Sequence, residues 1–306
     1  MEYAGTVASQ VGVMFILIFI GYICAKIGLI TDTGRKQMSS LILNVVTPAL
    51  IFMSYQTEFS HELIEGLIWS FILSAVSFII TIPLSFILIR KKNNKDFSIE
   101  RPSLIFTNCA FMGIPLVNAV FGSTGVLYVT AYITLFNILV WTMGVMMIRK
   151  QSGMKELFKA LRSSTIISIV LGLICYFTQL KIPSIIGRAL DYAATMNTPL
   201  PMIVAGATMA KTDMLKAVKS KKTLLITFYK LLLFPLICAA VLKLFPAPDM
   251  AYKITVIAVS CPVATSIIMF AVQYNNNDKY ASELFSISTL LSAVTLPLIL
   301  VITNYF

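Results

Sequence analysis

The stretch 102–148 contains not one charged side chain. A membrane crossing takes about 20 apolar residues, so this stretch is long enough for two. Uncharged stretches also cover 3–25, 37–57, 66–89, 163–180, 192–210, 254–277 and 284–306. Lipid offers no partner for backbone N–H and C=O groups, so a chain buried in it must pair them internally as helices or a closed barrel. Apolar runs of this length are helical runs. With 58% hydrophobic and only 12% charged residues, little of the chain is left for a water-soluble domain. The fold expected is an all-α polytopic membrane protein. Ten spans are expected, near 5–27, 36–56, 64–89, 102–121, 125–148, 161–180, 186–209, 222–244, 252–273 and 281–304. The Gly-Ser-Thr-Gly sequence at 122–125 divides the fourth from the fifth.

The N-terminus does not read as a cleaved signal, because its early charge is Glu2 rather than a basic cluster. The five cysteines, Cys24, Cys109, Cys175, Cys238 and Cys261, all fall within expected spans and make no Cys-x-x-Cys or Cys/His grouping. They read as small core residues, without a disulfide framework or a metal site.

A net charge of +11 suggests nucleic acid until the charges are placed. Loops after odd-numbered spans hold 19 of the 24 basic residues, and the opposite loops hold only Lys181, Arg188, Lys243 and Lys253. Basic loops stay in the cytoplasm. The expected placement is a cell (plasma or inner) membrane protein with both termini outside the cytoplasm. Its basic residues contact lipid, and nucleic acid is not a partner.

The chain also reads as two halves, 1–153 and 154–306. Asn44 and Pro48 recur at an offset of 153 as Asn197 and Pro201; Pro83 finds Pro235, and Pro115 finds Pro262. Five spans per half is an odd number, so the second half is inverted relative to the first. Inverted repeats are a common secondary-transporter architecture.

The chemistry centres on 103–122, SLIFTNCAFMGIPLVNAVFG, which carries Asn108, Gly113, Ile114 and Pro115. Proline removes a backbone donor and clashes with the preceding turn, so the fourth helix is expected to break at Pro115. The ninth is expected to break at Pro262, within Ser260-Cys261-Pro262-Val263-Ala264-Thr265. Proline suits the first turn of a helix, so each begins a second half-helix with free N–H groups at Leu116-Val117 and at Val263-Ala264-Thr265. Helix N-termini attract anions. Two such ends meeting at mid-membrane imply a small anion, such as a carboxylate, with Asn108, Asn137 and Thr265 as neutral donors. None of the 13 acidic residues lies at the centre of a span, which leaves no Asp-based proton carrier and no aspartyl-protease pair. No metal or cofactor motif appears, and no enzyme is read. Transport could be driven by membrane potential or gradient; sodium held by neutral oxygens is the alternative, and a non-transporting membrane sensor is a third reading.

Other residues carry weaker signals. Asn44 and Pro48 in span two, and Asn197 in span seven, form the repeated motif. Lys230 lies within span eight, where it can snorkel, pair with Glu283 or attract substrate. His61, the single histidine, reads as a solvated loop residue, and Asp191 as facing outer water. Trp141 shares a helical face with Asn137. The link 149–162 reads as a basic amphipathic surface helix, and Ala205-Gly206-Ala207 as a site of close helix contact.

Four runs, NVVTPAL from Asn44, TNCAFMGIPL from Thr107, CPVATSIIMFAVQY from Cys261 and STLLSAVTLP from Ser288, resemble the auxin efflux carrier family. That family includes plant PIN-type carriers and bacterial malate or malonate permeases. The resemblance covers the whole chain. It implies ten spans as inverted five-span repeats, similar to bile-acid sodium symporters and NhaA-type antiporters. A scaffold of spans 1, 2, 6 and 7 and a transport domain of spans 3–5 and 8–10 follow from it. So do an organic-anion site at the Pro115/Pro262 crossover that includes Asn108, with Asn137 facing it, an elevator-like movement and a homodimer. The short central loop departs from the plant carriers and fits a bacterial-type organic acid permease better.

Overall fold

The computed structural model describes residues 2–91, 94–149 and 164–303, and the link 149–162 lies almost wholly outside them. The described residues are helical, with one isolated antiparallel bridge. In chain order the helices are α1 (Glu2–Lys26), α2 (Asp32–Leu41), α3 (Thr47–Ser54), α4 (His61–Leu88), α5 (Phe97–Ile105), α6 (Ile114–Leu139) and α7 (Val145–Arg149). There follow α8 (Ser164–Thr178), α9 (Ser184–Thr195), α10 (Pro199–Met209), α11 (Met214–Lys219), α12 (Lys221–Phe228), α13 (Phe234–Leu242), α14 (Asp249–Ser260), α15 (Thr265–Gln273) and α16 (Asp278–Thr303).

Among the described residues six helical runs are long and apolar enough to cross a membrane: Ser9–Lys26, Asp32–Ser54, His61–Leu88, Cys109–Ile148, Lys221–Leu242 and Asp278–Thr303. The Cys109–Ile148 run is interrupted at Gly122, whose φ of 64° is open to glycine and strained for other residues. This is where the sequence places the turn between spans four and five. Expected spans four, seven and nine are each interrupted, at 106–108, 196–198 and 261–264, so none is one long helix.

Among the described residues four widened turns, with N–H groups reaching five residues back, run into a following helix: Ile42–Val46, Cys109–Gly113, Val140–Gly144 and Tyr229–Leu233. Three of them run straight into Pro48, Pro115 and Pro235. The cause is local. Proline lacks an N–H and its ring crowds the carbonyl four residues back. The residue before each proline relieves this by donating one residue further: Thr47 to Ile42 O, Ile114 to Cys109 O and Phe234 to Tyr229 O. Pro115 therefore sits in a continuous helical run rather than at a break, contrary to expectation. Leu116 and Val117 lie inside that run, so their N–H groups are not the free ones.

Packing falls into two groups of helices. α1 lies along α10, and α3 against α8 and α9. α4, α6 and α14 pack on one another, and α15 packs on α16. Contacts of α1 with α6 and α16, and of α3 with α6, join the groups. One such tie is the buried Tyr55–Thr130 hydroxyl pair at 2.6 Å. Between α1 and α10 the backbones touch at glycines. A Cβ on Gly206 would collide with Ile18 O, and one on Gly21 with Ile203 O. The expected close contact at Gly206 is thus present, with α1 as its partner.

The repeated Asn/Pro motifs also meet, since Thr47 Oγ1 donates to Asn197 Oδ1 at 2.8 Å in the interior. At the end of the molecule that carries the 90–101 segment, buried Glu100 accepts from Asn94 Nδ2 (2.7 Å) and Tyr280 Oη (3.1 Å) and pairs with Lys222 (2.5 Å). Burial raises the Asp96 pKa, but hydrogen bonds from Asn277 and Lys222 outweigh it and hold the carboxyl below its usual value.

Two outcomes are expected. Gly206→Leu should abolish the folded, monodisperse protein on size exclusion, whereas Gly12→Leu, with nothing within 4 Å of its Cβ, should leave the profile unchanged. Because Asp96 has a depressed folded pKa, its contribution is present above its unfolded pKa and lost as pH falls through the folded one. Asp96→Asn should therefore flatten the acid limb of a melting-temperature profile.

Candidate functional site

The bridge joins Thr107 to Val263 and brings the two interrupted segments together. Phe106-Thr107-Asn108 leaves the helix after α5, and Cys261-Pro262-Val263-Ala264 leaves it after α14. Their backbones pair antiparallel: Asn108 N donates to Pro262 O at 2.8 Å, and Ala264 N to Phe106 O at 3.1 Å. Val263 N donates to Ser288 Oγ of α16 at 3.1 Å. An unpaired backbone group at this depth costs several kcal/mol, so these bonds are what permit helix-free backbone here.

The pairing corrects the expected donor set. Val263 and Ala264 N–H are already bonded to protein. Ala264 is the cap residue of α15 and has no side-chain oxygen, so no side-chain cap holds the first N–H groups of that helix. The first break lies at 106–108, upstream of Pro115, and the helical run that follows begins at Cys109. Pro262 is within its break, as expected.

Asn108 and Thr265 face each other across this junction. Thr265 Oγ1 donates to Asn108 Oδ1 at 3.3 Å. Asn108 is 5% exposed, and its Nδ2 has no hydrogen-bond partner among the described residues. Ser266 Oγ, one residue along, is buried without a partner. The Asn108 amide and an uncapped helix start therefore lie together, and among the described residues no carboxylate is bonded to Asn108 or Thr265.

Gly113 and Ile114 are buried just beyond the break. A Cβ on Gly113 would stand 3.2 Å from Cys261 Sγ, so glycine there permits the two segments to approach. Asn137 is only partly buried on α6, and no hydrogen bond joins its side chain to the junction among the described residues. Trp141 reaches α15 instead, edge-on to Phe270 with centroids 5.0 Å apart.

Asn44 donates to Ser40 O at 2.9 Å and accepts from Ser164 Oγ at 3.0 Å, while Pro48 starts α3. Asn197 is buried, its Oδ1 held by Thr47 and its Nδ2 unpaired. These three residues shape the helices that flank the junction.

Lys230 departs from both structural expectations. It is 1% exposed, so it does not snorkel, and its Nζ donates to Leu104 O at 3.0 Å rather than pairing with Glu283. Leu104 belongs to the last turn of α5, whose carbonyls carry the negative end of the helix dipole. Glu283 lines a cavity at the basic end of the molecule. Among the described residues no group of three or more His, Cys, Asp or Glu is placed to hold a metal ion.

A cavity of about 420 Å³ reaches Thr265 from between α2 and α15, and Arg35 and Lys36 line it. The sequence marks Arg35 only as one loop charge among many, so its place beside the junction is not legible there.

Comparison with known proteins places the chain among membrane transporters. A family described as "Membrane transport protein" matches residues 6–158 and 149–300. An "Uncharacterized transporter" of Methanothermobacter thermautotrophicus is 24% identical over 97% of this chain and 98% of its own length. A Rhizobium meliloti protein named "Putative malonate transporter" is 26% identical over 92% of this chain and 91% of its own. The "Uncharacterized transporter YfdV" of Escherichia coli K12 is 22% identical over 93% and 94%. With nearly its whole length matched, the chain belongs to this membrane transport protein family, the auxin efflux carriers.

Proposed function

We propose that the protein is a secondary transporter of a small organic anion, a carboxylate, bound where the two interrupted segments pair. The single observation that carries this is the junction itself. Asn108 Nδ2 and the start of α15 offer donors there, and Thr265 opens onto a cavity. A helix start and neutral amides recognise an anion without a metal or a buried cation at the site. The name of the Rhizobium relative is consistent with a carboxylate.

In this reading the ten spans form inverted five-span repeats, 1–153 and 154–306. Spans 1, 2, 6 and 7 are a scaffold, and spans 3–5 and 8–10 move against it as an elevator. The packing of α1 on α10 and of α3 on α8 and α9, apart from the α4–α6–α14 group, supports that division. The protein acts in the cell membrane as a homodimer, with both termini outside the cytoplasm. A second reading, sodium-coupled symport, draws on the neutral oxygens gathered at the junction: Asn108 Oδ1, Thr265 Oγ1 and the Phe106 and Pro262 carbonyls.

Counterflow in proteoliposomes loaded with mono- or dicarboxylates should accumulate labelled substrate. A protein that binds carboxylates in a thermal-shift assay but shows no counterflow is a sensor. Equal stabilisation in sodium and potassium favours the uncoupled reading, and stabilisation in sodium alone the symporter. Asn108→Ala should weaken carboxylate binding roughly tenfold while the protein stays monodisperse; unchanged affinity removes the junction as the site.

A further inference from the structure

We infer that Arg35 is an anion-docking residue, receiving the substrate carboxylate on one face of the membrane before it reaches the junction; this rests on the junction being the anion site. Arg35, Lys36, Ser39 and Ser40 of α2 line the 420 Å³ cavity together with Asn44 and Thr265. No carboxylate lines it among the described residues. The adjoining cavity, of about 610 Å³, differs in mixing both signs, with Asp32, Asp213, Asp278 and Glu283 beside its basic residues. Arg35 and Lys36 line both cavities, but only in the first do their charges stand without lining carboxylates among the described residues, which favours an anion there.

The guanidinium is incompletely used by the protein. Arg35 Nη1 donates to Thr208 Oγ1 at 3.2 Å, and Nη2 makes a long 3.4 Å contact with Asp32 Oδ1. Asp32 is exposed and is shared with Lys211, so it neutralises Arg35 weakly. Arg35 Nε is buried with no partner among the described residues. A buried guanidinium N–H without an acceptor is an unfavourable arrangement, and a carboxylate is the acceptor whose two oxygens fit the guanidinium fork.

Position makes the contact one-sided. Arg35 is tied through Thr208 to α10, which is locked against α1 by the glycine contact. Thr265 belongs to α15, which packs on α16 in the other helix group. If the second group moves against the first, an anion at Thr265 meets Arg35 only when the junction faces this cavity. Arg35 then acts on capture and release at the basic face, which the charge bias places in the cytoplasm, and has no part at the other face.

Transport is measured in right-side-out and inside-out vesicles with the carboxylate identified by counterflow. Arg35→Gln should raise KM about tenfold for entry from the Arg35 face and leave KM from the opposite face unchanged. Arg35→Lys should recover part of the loss. Lys36→Gln, on an exposed side chain of the same cavity, should show the same one-sided shift at smaller size, and it reads the cavity in a background that does not disturb packing. An equal rise from both faces, or no one-sided shift in either variant, overturns the assignment. Asn108→Ala should raise KM from both faces; if it changes neither, the junction reading fails by itself, and if it acts while the Arg35 and Lys36 variants do not, only the docking role fails.

Discussion

Two short pieces of backbone that belong to no helix hold each other in place. Phe106–Asn108 and Cys261–Ala264 exchange two main-chain hydrogen bonds, and Ser288 takes up a third N–H. In a solvent without hydrogen-bonding capacity, neither segment could stay unwound alone. Each interruption exists because the other does. The cavity, the uncapped start of α15 and the approach of Asn108 to Thr265 all depend on that mutual pairing.

The two helix groups supply the setting. On one side, α1 and α10 meet glycine to backbone, leaving no side chain between them to yield. On the other, α4, α6 and α14 surround the interrupted segments with apolar side chains. The junction is therefore buried where the chains pair, and open where Thr265 lines the cavity between α2 and α15. Lys230 adds a buried amine behind it, spent on the carbonyl end of α5 rather than on the junction.

The helices were legible in the sequence because the charges bracket them, and so was the Gly122 turn. The break at Pro262 was legible because the proline lies inside it. The partner break was not. Nothing in Phe-Thr-Asn disfavours helix strongly, and its unwinding is decided by a contact with residues far along the chain. Pro115 misled for a related reason: its missing N–H is absorbed by one widened turn, so the strongest local signal marks a re-registered helix rather than its end. Lys230 was recognisable as unusual, but its partner is a main-chain oxygen that no pattern of side chains reveals. Asn137 had the right chemistry on a face that does not bring its side chain into hydrogen-bonding contact with the junction. The assignment of Asn108 and Thr265 as near neighbours was legible only through the assumption that the two interrupted spans cross.

The widened turns before Pro48, Pro115 and Pro235 have a geometric consequence. An ordinary helix advances about 100° per residue. Carrying one extra residue in a turn rotates everything beyond it by about that amount relative to an unbroken helix. A side-chain row that faces the interior before the turn is carried away from it afterwards, and another row takes its place. Each of these spans is thus two differently phased surfaces on one axis. Deleting a single residue within such a turn would keep the rod but re-aim its far half, exchanging lipid-facing and protein-facing rows without shortening the span by more than 1.5 Å or so.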